Sequence, residues 1–309
     1  MVYNELTMPS PTLDLKIVRA SRHPWIYHKM VRWERVHPPA GEWMAIKDRD
    51  GRFVGRGIVN FHSLIAVRLL TEREDETLDR AWLEAKLTKA LEFRRDMLRM
   101  DAQADSYRLV HAEADGLSGL IIDKLGNVAV IELYSAGWLG KLAELAEILK
   151  KLLPGIAVGV KVDERTEKRE GIDMLKPAAR FHLPLRAEVR ENGLSFEVNF
   201  AQGHKTGFFL DQRENRAAIS AMAKGRKCLD LCCYTGGFAL SLMKAGAAAV
   251  TAVDLDEKAL ALAKLNGKRN QLTVEWVHQN AFDYLRQAVA EKRAYDLVVV
   301  DPAKLASVP

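Results

Sequence analysis

Residues 227–238 read KCLDLCCYTGGF, and their order of apolar run, acid, paired glycines and helix-forming run decides the fold. Lys227–Leu231 suits a short buried parallel strand with an acid, Asp230, close to its carboxyl end. Gly236 and Gly237 mark a tight turn, Phe238–Lys244 a helix, and Gly246 its cap. Strand, glycine turn and helix bring backbone N–H groups close to a ligand at the carboxyl edge of a parallel sheet.

Outward from that turn the alternation continues. Ala249–Val253 reads as a strand ending in Asp254, and Asp256 caps a helix running to about Asn270. Thr273–Val277 is a strand, Asp283–Arg293 a helix and Tyr295–Asp301 a strand. Such alternation predicts an α/β, doubly wound parallel sheet.

Two nucleotide cofactors fit such a sheet. NAD requires G-x-G-x-x-G after the first strand, and the turn here reads CCYTGGF instead. Asp254 at the second strand end suits ribose hydroxyls, a need that both cofactors share. Asp230, beside a turn without phosphate-type glycine spacing, suits a cationic ligand bearing an amino group. In NAFD, residues 280–283, an acceptor can meet an adenine amine while Phe282 lies against the ring. Taken singly, Asp230 and Asp283 are each readable as helix caps. Taken jointly at successive strand ends, the acids point to S-adenosyl-L-methionine.

The rest of the chain sets the context. It has 309 residues with 48% hydrophobic and 28% charged, which predicts two or three domains. A net charge of +5 mildly favours a polyanionic partner. No run of about 18 apolar residues exists, so no membrane-spanning helix is expected, and the N-terminus lacks the apolar stretch of a secretory signal. The three cysteines cluster at Cys228, Cys232 and Cys233, with no second group to complete a metal site. A reducing cytoplasm is the expected location.

Residues up to about 72 read as short strands. Within Arg19–Val31 the basic side chains of Arg19, Arg22 and His23 interleave with Trp25 and Tyr27, a composition suited to phosphates and unpaired bases or to a solvated loop with Trp25 as an anchor. A helix is expected from Leu78 to about Met100 with Thr77 as N-cap, its Arg94, Arg95 and Arg99 forming a solvated face. Strands between Ser106 and Leu133, a helix over Trp138–Leu153 and a strand over Ile156–Val162 make a small α+β domain. The charged DERTEKREGI, residues 163–172, reads as a solvated loop, and residues 176–184 as a linker. Leu185–Phe200 is a hairpin around Asn192–Gly193, a dipeptide suited to a type I′ turn.

RHPWIY (22–27) followed by GEWMAIKDRDGRFVGRGIVN (41–60) resembles the RNA-binding PUA barrel that opens the large-subunit ribosomal RNA methyltransferase I family. YRLVHAEADGLSGLIID (107–123) and DERTEKREGI resemble that family's central domain. GHKTGFFLDQRENR (203–216) matches its most specific signature nearly completely, and the segments from 227 onward resemble the motifs of Rossmann-type methyltransferases. The resemblance implies a PUA-like barrel over 1–74, a central α+β domain over 75–184, and a hairpin plus Rossmann-like sheet, incomplete in this chain, over 185–309. It implies S-adenosylmethionine-dependent methylation of carbon 5 of a cytosine in 23S ribosomal RNA.

By this resemblance the cofactor lies against Asp230, Tyr234, Thr235, Gly236, Gly237, Phe238, Asp254, Leu255, Ala281, Phe282, Asp283 and Asp301, with Gln212 and Arg213 from the signature and Lys205, Phe208 and Asp211 beside them. Arg19, Arg22, His23, Trp25 and Lys205 would meet RNA. Asp301 and Pro302 correspond to the family's DPPK element, where this chain has Ala303 for the second proline. The family's catalytic cysteine lies beyond the next strand. The sequence ends at Pro309 without it, so the expectation is a fragment that binds the cofactor and does not turn over. Methylation of another RNA atom, or a non-catalytic RNA-binding protein on the same scaffold, are the competing readings, with a dehydrogenase more distant. No metal is expected, and a homodimer stays open.

Overall fold

The computed structural model describes residues 12–19, 21–201 and 207–302. Contacts divide the chain into two compact units. One comprises Met1–Leu98, Arg108–Lys124 and Val128–Leu183, the other Arg99–Tyr107, Leu125–Asn127 and Pro184–Pro309.

The first unit opens with β1 (Thr12–Asp14), β2 (Trp25–Tyr27), β3 (Glu42–Lys47), β4 (Phe53–Val59) and β5 (Ile65–Thr71), in sheet order β1-β3-β4-β5-β2. The two outer strands are stitched together. Lys16 N donates to Met30 O and Arg32 N to Asp14 O, at 2.8 and 2.9 Å, around a bridge between Leu15 and Val31. This closes the sheet into a barrel and removes two edges. Its core is Leu13, Leu15, Ile26, Trp33, Met44, Ile46, Val67 and neighbours. In β4 the pairing register shifts at Arg56/Gly57. A Cβ on Gly57 would lie 2.2 Å from the Arg68 carbonyl oxygen, so the strands meet there only through glycine.

Next comes α1 (Arg80–Glu92). Its N-cap is Asp79, whose carboxylate accepts from Trp82 N at 2.8 Å; the expected cap, Thr77, lies outside the helix. The helix gives way to a π-turn over Phe93–Met97. Arg94 is buried there, gripping Asp115 at 2.5 and 2.7 Å, so of the expected solvated arginine face only Arg95 and Arg99 are exposed. A sheet of β6 (Ser106–His111), β7 (Leu120–Leu125), β8 (Val128–Leu133) and β9 (Ala157–Val162) follows in that order. The parallel pair β8–β9 is joined by α2 (Leu142–Leu152), which follows a 3₁₀ turn at Ala136–Lys141.

The charged DERTEKREGI is no loop. Glu164–Glu170 forms α3, capped by Asp163, and Leu175–Ala178 forms α4. Glu170 is buried, accepting from Asn60 Nδ2, Ser63 Oγ and Ala136 N at 3.0, 2.9 and 2.9 Å. The charge that looked solvated thus ties the loop after β4 to the turn after β8.

In the second unit β10 (Arg186–Glu191) and β11 (Leu194–Asn199) form the expected hairpin. Asn192 and Gly193 have φ of 48° and 73°, as a type I′ turn requires. After α5 (Arg213–Ser220) come β12 (Lys227–Leu231), α6 (Gly237–Lys244), β13 (Ala249–Asp254), α7 (Glu257–Arg269), β14 (Glu275–His278), α8 (Ala281–Ala290) and β15 (Leu297–Val300). The parallel sheet runs β14-β13-β12-β15. In β12 every residue but Lys227 is buried, as a central strand covered on both faces must be. Two asparagines finish the free edge of β11: Asn266 Oδ1 accepts from Glu197 N and Asn270 Oδ1 from Ser195 N, both at 2.8 Å. Side-chain amides here stand in for a third strand.

Candidate functional site

The site is built on the carboxyl ends of the second unit's strands. Asp230 on β12 is 1% exposed. Its Oδ2 accepts from Ala239 N at 2.9 Å, which supplies the first turn of α6 with the cap that Gly236 lacks. Its Oδ1 is buried with no partner. Burial pushes this carboxyl up to about 8; the Ala239 N–H opposes the rise, and Asp254 and Asp301 add to it. One oxygen thus caps the helix, as the cap reading has it, and the other is buried without a partner.

Between β12 and α6 the chain bends through Cys232 and Tyr234, both at positive φ, and Gly236 at 85°. A Cβ on Gly236 would meet the Trp276 ring at 2.8 Å, so glycine is required twice over, by conformation and by space. Asp254 on β13 locks the bend. Its Oδ2 accepts from Tyr234 N at 2.7 Å and its Oδ1 from Asp256 N at 2.8 Å. An ionised carboxylate has about four acceptor sites, so Asp254 keeps capacity for a ligand's hydroxyls. Thr235 is buried, its carbonyl accepting from Asn266 Nδ2 at 3.2 Å.

Two further strand ends complete the rim. Asn280, not Asp283, caps α8, accepting from Phe282 N at 2.9 Å. Asp283 lies in the first turn and pairs with Arg286. Leu255 and Phe282 are 63% and 60% exposed beside Asp254 and Ala281, two large apolar groups with open faces at the strand ends. Asp301 follows β15, its N–H directed at Leu231 O at 3.4 Å, and both it and Pro302 are exposed. The structure thus assembles Asp230, Tyr234, Thr235, Gly236, Gly237, Phe238, Asp254 and Asp301 along neighbouring strand ends and the turn between them.

The signature segment behaves differently. Gln212 Oε1 accepts from Asn215 Nδ2 at 2.7 Å. Arg213 is buried against Met100 Sδ and Glu214, at 3.2 and 2.9 Å, rather than turned to the glycines. The residue against the turn is Arg216, which sequence reading passed over. It grips buried Glu191 with two bonds of 2.6 Å, lies 4.9 Å from the Phe208 ring centre, and would sit 3.2 Å from a Cβ on Gly237. The alternation that puts Glu191 on the inward face of β10 was the available signal. Lys205 lies outside the described residues.

The cysteines pack rather than react. Cys228 and Cys233 are buried. Burial, with Asp254, Asp230 and Asp301 nearby, pushes the Cys232 thiol up, and a thiol held up is a poor nucleophile. Among the described residues no group of three or more His, Cys, Asp or Glu side chains could hold a metal, and no helix is long and apolar enough to cross a membrane.

In the first unit, Arg19 pairs with Glu72 at 2.8 Å and donates to His23 O at 2.6 Å. His23 stands edge-on to Trp25, ring centres 4.9 Å apart. Trp25 Nε1 donates to Glu113 at 2.8 Å, under the Arg68 guanidinium. Arg22 is exposed. Arg19, His23 and Trp25 line a groove of about 270 Å³ floored by Leu15, Ile17, Ile26 and Met30.

Comparison with known proteins agrees with this fold. Residues 19–72 match the PUA-like domain family and residues 182–307 the S-adenosylmethionine-dependent methyltransferase family. The Ribosomal RNA large subunit methyltransferase I of Pseudoalteromonas translucida is 35% identical over 289 residues, 92% of this chain and 73% of that protein. The protein of that name from Shewanella amazonensis is 36% identical over the same shares. A solved Streptococcus mutans protein described as a methyltransferase superposes with a TM-score of 0.72 at 20% identity, over 94% of this chain and 77% of its own. Another, complexed with S-adenosylhomocysteine, gives 0.75 at 19%, over 97% and 77%. At that identity the two structures establish the fold. The relatives and the matched families establish more: this chain, a PUA-like domain with a cofactor-binding α/β sheet, belongs to the S-adenosylmethionine-dependent ribosomal RNA large subunit methyltransferase I family.

Proposed function

We propose that the protein methylates carbon 5 of a cytosine in large-subunit ribosomal RNA. The observation that carries the cofactor half is the buried, unpartnered Oδ1 of Asp230, set between Asp254 and Asp301 at one glycine turn. An ammonium group answers that oxygen; a pyrophosphate would be repelled. Asp254 would hold the ribose hydroxyls. Leu255, Ala281, Phe282 and Asp283 would flank the adenine, and the backbone of Tyr234–Phe238, with Gln212 nearby, the methionine portion. When bound, the cofactor supplies an electrophilic methyl group on a sulfonium.

The base half rests on the family. Cytosine carbon 5 is not nucleophilic until a thiolate adds at carbon 6. Asp301, with Pro302, supplies the acidic group near N3 that assists the addition. Cys228, Cys232 and Cys233 are unsuited to the thiolate's part, so that role belongs to none of these three. The same observation favours a second reading, methylation of an exocyclic amine, which needs no thiolate. Against it, Leu305 stands where amine methyltransferases carry an aromatic residue.

Arg19, Arg22, His23 and Trp25 are the proposed RNA contacts of the barrel, with Lys205 from the signature. The division into barrel (1–74), central domain (75–184) and cofactor domain (185–309) belongs to the same proposal, as does action in the cytoplasm. Deleting the gene and mapping modified nucleosides in large-subunit RNA tests it. Loss of one 5-methylcytosine, restored on complementation, is expected. Loss of an N-methylated base instead would favour the second reading, and an unchanged map would sink both.

A further inference from the structure

Three carboxylates meet at the end of β12. Asp230 is wholly enclosed, with Asp254 from β13 and Asp301 after β15 as its charged neighbours. The thiols of Cys232 and Cys233 lie beside it and add no positive charge. From α6 only the Ala239 N–H reaches it. Arg216, which lies against Gly237, is already bound twice to Glu191, and on the α8 side Tyr284 faces Tyr295 and Arg293. Among the described residues Asp230 thus has one neutral donor, no cation beside it, and an oxygen with no partner.

We propose that Asp230 carries a proton in the free protein and releases it to solvent when the cofactor's ammonium group takes its place, so that cofactor binding is proton-linked. The inference rests on the cofactor reading above. Its physical basis is that a buried acid without a countercharge is neutral, and that an opposite charge at contact restores its ionised form. Burial holds the free carboxyl at about 8. Near pH 6.5 the free site is therefore protonated and the complex ionised. The proton leaves Oδ1, and the N⁺–H···O⁻ contact replaces it.

The consequence is selection by charge state. A ligand with adenosine and thioether but no ammonium leaves the proton where it is. A ligand with the ammonium binds more tightly as pH rises toward 8, by up to about tenfold per pH unit, and the gain stops once the free acid is itself ionised.

Calorimetric titration of the 309-residue chain with S-adenosylhomocysteine at pH 6.5, in two buffers of different ionisation enthalpy, tests this. The heats should differ by an amount equal to the release of about one proton. 5′-Methylthioadenosine should bind with no such difference, and Asp230→Asn should bind S-adenosylhomocysteine without buffer dependence. Equal heats in both buffers, or the same release with methylthioadenosine or with the Asn variant, would overturn the proposal while leaving the cofactor reading intact. Failure of S-adenosylhomocysteine to bind at all would remove both.

Discussion

Asp254 holds the turn's backbone and, in the proposed function, the ligand's ribose as well. Both its oxygens already hold the backbone of the turn, through Tyr234 N and Asp256 N. Replacement by Ala should abolish S-adenosylhomocysteine binding, and retained affinity in a calorimetric titration would refute the assignment. Asp230 makes a second prediction, for the free protein. Its folded carboxyl is raised from 3.8 to about 8, so between those values the native state binds the proton that the unfolded chain gives up. Stability from this residue is therefore present at low pH and lost as pH rises from about 4 toward 8. Asp230→Asn should accordingly raise the melting temperature relative to wild type at pH 8 and leave it little changed at pH 4.5. Equal shifts at both values would show that the acid is ionised throughout.

At the scale of elements, the parallel sheet was legible and the caps were not. KCLDL and AVTAVD are β-branched or apolar runs that only a doubly covered strand tolerates, and β12 has the expected bounds. Caps depend on which of several nearby acceptors wins. Asp79 caps α1 rather than Thr77, and Asn280 caps α8 rather than Asp283, because theirs are the side chains that reach the early N–H groups of Trp82 and Phe282. The segment 163–172 was misread for a related reason. Composition sees seven charges in DERTEKREGI, but it cannot see Asn60, Ser63 and the Ala136 N–H waiting for Glu170. Glu170→Ala strips the acceptor from the Ser63 hydroxyl and the Ala136 N–H, while Asn60 Nδ2 keeps the Glu170 carbonyl, and should cost the first unit about 3 kcal/mol in chemical denaturation. A loss below about 0.5 kcal/mol, the level of a surface substitution, would contradict that account. Likewise the Glu191–Arg216 pair joins β10 to α5, and Glu191→Ala, which strands a buried guanidinium, should cost roughly 3–5 kcal/mol.

For the whole molecule, family signatures named residues that geometry then redistributed. The signature spans residues 203–216, yet within its described part Arg213 turns to Met100 while Arg216 lies against Gly237. A short motif carries no information about which face of α5 is inward. Each unit has its own core, and the proposed cofactor residues all belong to the second. Saturating S-adenosylhomocysteine at about 100 times its Kd adds roughly 2.7 kcal/mol to the state that binds it. Hydrogen exchange should slow in β12–β15 while the barrel strands β1–β5 keep their rates; uniform protection throughout would contradict a site confined to the second unit.

The close fit of Gly236 over the Trp276 indole has an optical consequence. The chain has six tryptophans, at 25, 33, 43, 82, 138 and 276, and the first five belong to the other unit. Replacing those five with phenylalanine would leave a single tryptophan lodged against the glycine turn, and its emission, excited selectively near the red edge of indole absorption, would report the turn's occupancy without any added label.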